Sequence, residues 1–373
     1  MRTAPPDMLY ARVAAARAAL TASELEALVV SSLANISYLT GFFASAAAVT
    51  VEPDRVVLIG DGRYRESLQA RAHECAFIDV IELPAGASYD EALADVLAPL
   101  NGRRVGFEAA HLTVLRHRFL TATLGQRGWD STLVETDGLI ERLRVCKDAW
   151  EIARLHDGAD RLSAVAKCIL PRVLAGRTEA EVAAELEGRL RDAGFERLAF
   201  DTIVASGPNA ALPHARAGQR RIEDGDLVVV DFGGVLDGYC TDLTRTVAVG
   251  QAGSRQQRLI EQVVDAQYAA FAAVASGRAP EAVDAAARDT LTRHGIGDAF
   301  MHGTGHGLGL EVHEAPRVTR ARPNHAEPLL ATGMVLTLEP GAYFPGWGGV
   351  RIEDDVLVTA DGAEWLTDVP RIP

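Results

Sequence analysis

Short apolar runs alternate with helical stretches along the first 140 or so residues. The runs at Ala27 to Val30, Ala46 to Val51, Val56 to Ile59, Phe77 to Ile81 and Arg104 to Phe107 have strand length and strand composition. Between them, segments near Arg63 to Ala72, Asp90 to Leu97 and Leu112 to Leu124 carry apolar residues at helical spacing. An Ala-rich stretch from Met8 to Leu20 predicts an opening helix, and Thr21-Ala-Ser-Glu24 has the form of a capping box for a further turn. The alternation predicts an α/β domain. A composition shift at Glu135-Thr-Asp-Gly138 places its end close to Ile140, giving domains 1–140 and 141–373.

The second part has a different rhythm. A long apolar-periodic segment ends near Leu170, and Thr178-x-x-Glu181 is a capping box opening a helix that Gly194 closes. A strand near Phe200 to Ala205, a Gly-Pro-Asn turn and Pro213-His214 follow, then two β-rich arms, Asp226 to Val230 and Thr241 to Val249, around Asp237-Gly238. The pattern then repeats. Ser254 is expected to cap a helix running to about Ala275, Pro280 starts another, Gly295 ends it, and a second pair of strands comes after a His-rich loop. Gly225-Asp-Leu-Val-Val-Val-Asp231-Phe-Gly233 and Gly333-Met-Val-Leu-Thr-Leu-Glu339-Pro-Gly341 share one frame: Gly, five residues, a carboxylate, one residue, Gly. Two pseudo-equivalent halves, each with an acid at the same place in its hairpin, are expected.

Composition narrows the class. At 373 residues with 48% hydrophobic content, the chain can bury two cores. A formal net charge of -14 argues against nucleic acid or an anionic membrane surface as partner. The four cysteines, Cys75, Cys146, Cys168 and Cys240, form no Cys-x-x-Cys pair, so neither a thiolate zinc site nor a redox motif is expected. No apolar run is long enough for a signal peptide core or a membrane span, and a cytoplasmic protein is expected.

Chemistry concentrates in the second half. Met301 to Glu314 packs His302, His306 and His313, out of ten histidines in the chain, into one Gly-rich segment. Asp231 ends a Val-Val-Val run and Asp242 lies on the returning arm, about as far from the turn, so the two are expected to meet across the strands. Glu339 and Glu353 bracket the Gly346 to Gly349 turn in the same manner. Four buried acids need compensating cations, and Arg245 and Arg351 are too few. Two divalent ions, with His306 as a nitrogen ligand, balance the charge. Mostly oxygen donors with one imidazole suit Mn²⁺, Co²⁺ or Zn²⁺, and such a pair activates water and polarises a carbonyl, so metal-assisted hydrolysis is the expected chemistry.

Seven motifs now stand in order: Ser206-Gly-Pro-Asn-Ala-Ala-Leu-Pro-His214, Asp231-Phe-Gly-Gly, Thr241-Asp-Leu-Thr-Arg-Thr246, His302-Gly-Thr-Gly-His306-Gly-Leu-Gly, Val312-His-Glu314, Leu338-Glu-Pro-Gly341 and Val350-Arg-Ile-Glu353. Together they resemble the pita-bread metallopeptidases, within them the aminopeptidase P and prolidase branch. Asn35-Ile-Ser-Tyr-Leu-Thr-Gly41 and Asp61-Gly-Arg-Tyr64 look like that branch's N-terminal domain. The resemblance implies an N-terminal α/β creatinase-like domain followed by a pita-bread, pseudo-twofold α+β catalytic domain. It also implies a dinuclear site in which Asp231 chelates one ion, His306 and Glu339 bind the other, and Asp242 and Glu353 bridge both. Mn²⁺ is the expected metal, with Co²⁺ or Zn²⁺ as alternatives.

By the same matching Glu339 is the general base, and His214 and His313 contact the substrate and stabilise the tetrahedral intermediate. His302 lines the pocket or supports it, and Arg351 orients the site. The implied substrate is a peptide with proline second, cleaved before that proline by an Xaa-Pro aminopeptidase. A prolidase cleaving dipeptides is the alternative, with Arg317 the candidate for binding the dipeptide's terminal carboxylate. From another class, the alternative is a non-catalytic binding protein that kept the pita-bread fold. The N-terminal extension disfavours the methionine aminopeptidase branch, and the five ligands disfavour the creatine-hydrolysing relatives. By analogy a homodimer is expected.

Overall fold

The computed structural model describes residues 2–323 and 326–372, which form two compact units divided between Arg144 and Val145.

The N-terminal unit is built on one six-stranded mixed sheet. Its strands are β1 (Ala27–Val30), β2 (Ala48–Val51), β3 (Val56–Asp61), β4 (Ile78–Leu83), β5 (Val105–Glu108) and β6 (Leu133–Thr136), in the order β4-β3-β2-β1-β5-β6. The antiparallel pairs β1–β2 and β2–β3 sit at the centre, and parallel pairs lie outside them. Helices α1 (Pro6–Ala22), α2 (Leu33–Thr40), α3 (Arg65–Glu74), α4 (Tyr89–Leu97), α5 (Val114–Gln126) and the short α6 (Glu141–Arg144) complete it. The proposed turn at Thr21 to Glu24 is not a new cap. Helix α1 runs on through Ala22, the Thr21 hydroxyl donates back to the Arg17 carbonyl, and Glu24 turns the chain with φ 54°. The Asn35 to Gly41 motif is structural: Asn35 donates to Glu108 and Glu141, and Gly41 ends α2 in the left-handed conformation at φ 65°.

The second unit contains the repeat. Its first half has α7 (Ala149–Ile169) and α8 (Glu179–Asp192), each opened by a complete capping box, at Asp148/Glu151 and Thr178/Glu181. Strands β7 (Arg197–Leu198), β8 (Ile203–Ser206), β9 (Leu227–Phe232), β10 (Gly234–Leu236), β11 (Tyr239–Cys240) and β12 (Leu243–Ala248) follow. Its second half has α9 (Ser254–Ala273), in which Ser254 is the first helical residue and Gly253, with no side chain to cap it, holds the N-cap position, and α10 (Pro280–Arg293), then β13 (Gly305–Gly307), β14 (Glu314–Val318), β15 (Val335–Leu338), β16 (Gly341–Phe344), β17 (Gly348–Arg351), β18 (Asp354–Thr359) and β19 (Gly362–Trp365). The strand order β8-β9-β12 in one half is matched by β13-β15-β18 in the other, all antiparallel. Each half buries one helix pair against its strands, with Leu162, Ile169, Leu186, Val228 and Val230 in one core and Val263, Val283, Leu291, Leu336 and Val356 in the other. A bridge between Thr244 and Glu353 ties the two strand systems together where the acids lie. Among the described residues, no helix is long and apolar enough to cross a membrane.

Candidate active site

The five expected ligands come from five separate places. Asp231 is on β9, Asp242 lies just before β12, His306 is the middle residue of β13, Glu339 directly follows β15, and Glu353 sits between β17 and β18. Local backbone bonds set their positions. The Glu353 amide donates to the Thr244 carbonyl (3.0 Å) and the Glu339 amide to the Thr304 carbonyl (2.7 Å). The Asp242 amide donates to the buried Asp355 carboxylate (3.2 Å), and the Thr244 hydroxyl donates to Glu353 Oε2 (2.6 Å). Asp231 and Asp242 are not direct partners. Asp231 pairs with Thr244 and Leu243 with Phe232, which puts Asp242 two residues diagonal to Asp231. The same register runs on through β10 and β11, where Val235 pairs with Cys240 and Leu236 with Tyr239, so the Asp237-Gly238 turn sets it, and the offset arises because Asp231 lies two residues further from that turn than Asp242.

The glycines flanking His306 are sterically required. A Cβ at Gly305 would stand 1.9 Å from the Thr337 carbonyl oxygen, and one at Gly307 would stand 2.1 Å from that of Ala315. Only bare backbone lets β13 lie between β14 and β15 and aim the imidazole inward. His306 Nδ1 lies 3.0 Å from the Gly307 carbonyl, which assigns the proton to Nδ1 and turns Nε2 toward the acids. That Nε2 is 3.9 Å from both Asp242 and Glu339.

Asp242, His306 and Glu353 each offer one ligand atom, all within 4.8 Å of one another. Asp231 is held instead by Arg351, and Glu339 reaches the cluster through His306. Burial, then the negative neighbours Glu353 and Asp231, pushes the Asp242 carboxyl far above its ordinary range; burial, then Glu339 and Asp231, does the same to Glu353. Glu339 is pushed up to about 7, by burial first. Asp231 Oδ1 and Asp242 Oδ1 are buried without a hydrogen-bond partner. Converging acids that resist shared ionisation, orphaned carboxylate oxygens and a presented imidazole nitrogen together fit divalent cations.

Around this centre is a cavity of about 400 Å³, a volume suited to a small substrate. His214, His302, His313, Arg351, Phe200 and Val312 are among its lining residues. His214 and His313 are exposed, and the His313 ring stands edge-on to His306 with centroids 4.4 Å apart. His302 is arranged differently, because both ring nitrogens are engaged: Nδ1 with the Gly303 carbonyl (2.8 Å) and Nε2 with the Tyr343 hydroxyl (2.8 Å). Arg351 Nη1 donates to that same hydroxyl (2.9 Å), so Arg351, Tyr343 and His302 form one chain of hydrogen bonds. Burial and the Arg351 charge lower the His302 pKa to about 4, which keeps the ring neutral. Arg317 is not among the cavity-lining residues. It pairs with His306 across β13 and β14, which puts both side chains on one face.

Sequence reasoning did not single out Tyr343 or Asp355. A lone tyrosine on a strand and a third acid directly after Glu353-Asp354 carry no pattern, whereas Thr244 lies inside the Thr241 to Thr246 motif.

Such a fold and site define a metal-dependent hydrolase. Residues 153–360 match the model of Metallopeptidase family M24, and residues 12–146 match that of the Creatinase/Prolidase N-terminal domain. The chain belongs to metallopeptidase family M24 and is a peptidase. It is 38% identical over 347 residues to an uncharacterized peptidase of Bacillus subtilis, covering 93% of this chain and 95% of that one. Among solved structures it is similar to the Xaa-Pro dipeptidase from Bacillus anthracis, with TM-score 0.89, 33% identity and coverage of 97% and 98% of the two chains. The X-Pro aminopeptidase from Thermotoga maritima is also similar, with TM-score 0.83, 31% identity and coverage of 93% and 96%.

Proposed function

We propose that the chain hydrolyses the Xaa-Pro bond at the N-terminus of peptides, with two divalent ions held by Asp231, Asp242, His306, Glu339 and Glu353. The observation that carries this reading is the convergence of buried acids with an unpartnered oxygen on Asp231 and on Asp242 around the inward-facing His306 Nε2. When bound there, the ions supply Lewis-acid polarisation of the scissile carbonyl and lower the pKa of water. Mn²⁺ is the proposed native metal, because oxygen donors dominate the set.

The protein's own groups do the rest. Glu339 takes a proton from the attacking water at its carboxylate and passes it to the departing proline nitrogen. His214 and His313, both at the cavity wall, donate hydrogen bonds to the carbonyl oxygen as it gains charge. Arg351 holds Asp231 while anchoring Tyr343, and His302 completes that support from the cavity wall. Domains 1–140 and 141–373, with catalysis in the second, are part of this reading, as is a cytoplasmic homodimer.

A second reading is a dipeptidase, favoured by Arg317. Its backbone position opposite His306 puts its side chain on the same strand face, and in this reading it would bind the dipeptide's terminal carboxylate. The test is cleavage of Xaa-Pro dipeptides beside longer Xaa-Pro peptides, with and without chelator. Metal-dependent cleavage of both lengths supports the aminopeptidase, and cleavage of dipeptides alone supports the dipeptidase. Turnover that survives complete metal removal overturns the mechanism.

A further inference from the structure

His214 lies on a long loop after β8, and the structure shows what holds that loop. Its first turn, Gly207–Ala211, is a short 3-10 helix, Leu212 beyond it is 58% exposed, and His214 and Arg216 are also exposed. Left to itself, such a loop would sample many positions, and an imidazole on it would not stay aimed at the cavity.

Glu179, the first residue of α8, is 0% exposed. Its Oε1 accepts three hydrogen bonds: from the Ser206 amide (2.8 Å), the Ser206 hydroxyl (2.7 Å) and the Asn209 side-chain amide (3.0 Å). Its Oε2 accepts from the Gly218 amide (3.1 Å). One carboxylate therefore holds both ends of the loop, at 206–209 and at 218. The main chain beside it adds two more ties, with the Glu179 amide donating to Arg220 (3.1 Å) and the Ala180 amide to Gly218 (2.9 Å). Arg220 Nη1 donates to the Ser206 hydroxyl (2.7 Å) and also pairs with Asp226, which fixes that hydroxyl's direction.

All four groups aimed at Glu179 are donors, so the position needs acceptors on both oxygens, which a carboxylate has and an amide lacks. A fold needing only a helix start there could use any polar residue in contact with water. We propose that Glu179 is a positioning residue that clamps the loop from Gly207 to Ala217 and so holds His214 at the cavity. This rests on the reading of His214 as a substrate-contacting group.

The test is a cycle with Glu179→Gln, His214→Ala and the double variant, read by kcat/KM on an Xaa-Pro peptide, bound metal, and hydrogen exchange of residues 206–218. In Glu179→Gln the amide keeps an acceptor for Ser206 but opposes the Gly218 N–H with a donor. The expected result is faster exchange confined to 206–218, unchanged metal content and a roughly tenfold fall in kcat/KM that disappears in the His214→Ala background. Exchange identical to wild type overturns the clamp, and so does a fall that persists in full without His214. Should Glu179→Gln fail to fold, Asn209→Ala removes one side-chain donor and carries the same cycle with a smaller expected effect. Exchange is read without turnover, so an error in the peptidase reading would show as an inactive wild type while the loop measurement still stands.

Discussion

Arg245 gives the sharpest test of how the site is held. Its side chain is fully buried and uses its whole donor set. Nε donates to the Pro370 carbonyl, Nη1 to the Thr244 and Glu353 carbonyls, and Nη2 to the Val369 carbonyl and the Asp354 carboxylate, at 2.6 to 2.9 Å. One guanidinium therefore ties β12, the segment at Glu353 and the C-terminal residues 369–370. A lysine keeps the charge but has three donors, so at least two of these five bonds are lost; at roughly 1–2 kcal/mol each, Arg245→Lys costs about 2–4 kcal/mol. Arg245→Met removes one partner of a buried pair and costs about 3–5 kcal/mol. Thermal unfolding with chelator present, so that metal binding does not mask the loss, should show Tm falling by about 6–20 °C for Arg245→Met, at about 2–4 °C per kcal/mol for a unit of 150–250 residues. A loss under about 2 °C, or Arg245→Lys indistinguishable from wild type, would refute the reasoning.

Other outcomes follow from the site. Chelator should abolish cleavage, and added Mn²⁺, Co²⁺ or Zn²⁺ should restore it, as followed by peptide hydrolysis. Asp242→Ala and Glu353→Ala should each lower bound metal and cut kcat/KM by about 10³-fold or more, since each would contact both ions; elemental analysis showing full metal content contradicts that assignment. Arg317→Ala should raise KM for an Xaa-Pro dipeptide by about tenfold and leave a longer peptide nearly unchanged if the dipeptidase reading holds. In the metal-free protein, Glu339, its pKa raised by burial to about 7, contributes stability that is present below its unfolded pKa and lost as pH rises through about 7. Melting with chelator across that range should therefore show falling Tm, and a rising Tm would count against the buried-acid cluster.

The parts of this molecule legible in the sequence are those with a local physical signature. Capping boxes at Thr178 and the Asp237-Gly238 turn, where φ is 50° and 85°, are set by neighbours in the chain. The three histidines and four acids stood out because those residue types are costly on apolar strands. The offset between Asp231 and Asp242 follows from the Asp237-Gly238 turn, because Asp231 lies two residues further from the turn than Asp242, a difference that the expected direct pairing overlooked. Helix α2 has no polar face to mark its period, since residues 35–40 are all buried. Glu179 read as an ordinary acid in a helix's first turn, and its four donors come from residues 206–218.

The unsubstituted backbone at Gly305 and Gly307 also bears on re-engineering. With carbonyl oxygens about 2 Å from where any side chain would begin, a randomised library screened for activity should return no change at either codon. Diversity aimed at altering which peptides are accepted belongs instead at Phe200 and Val312, where the wall can be reshaped without displacing a strand.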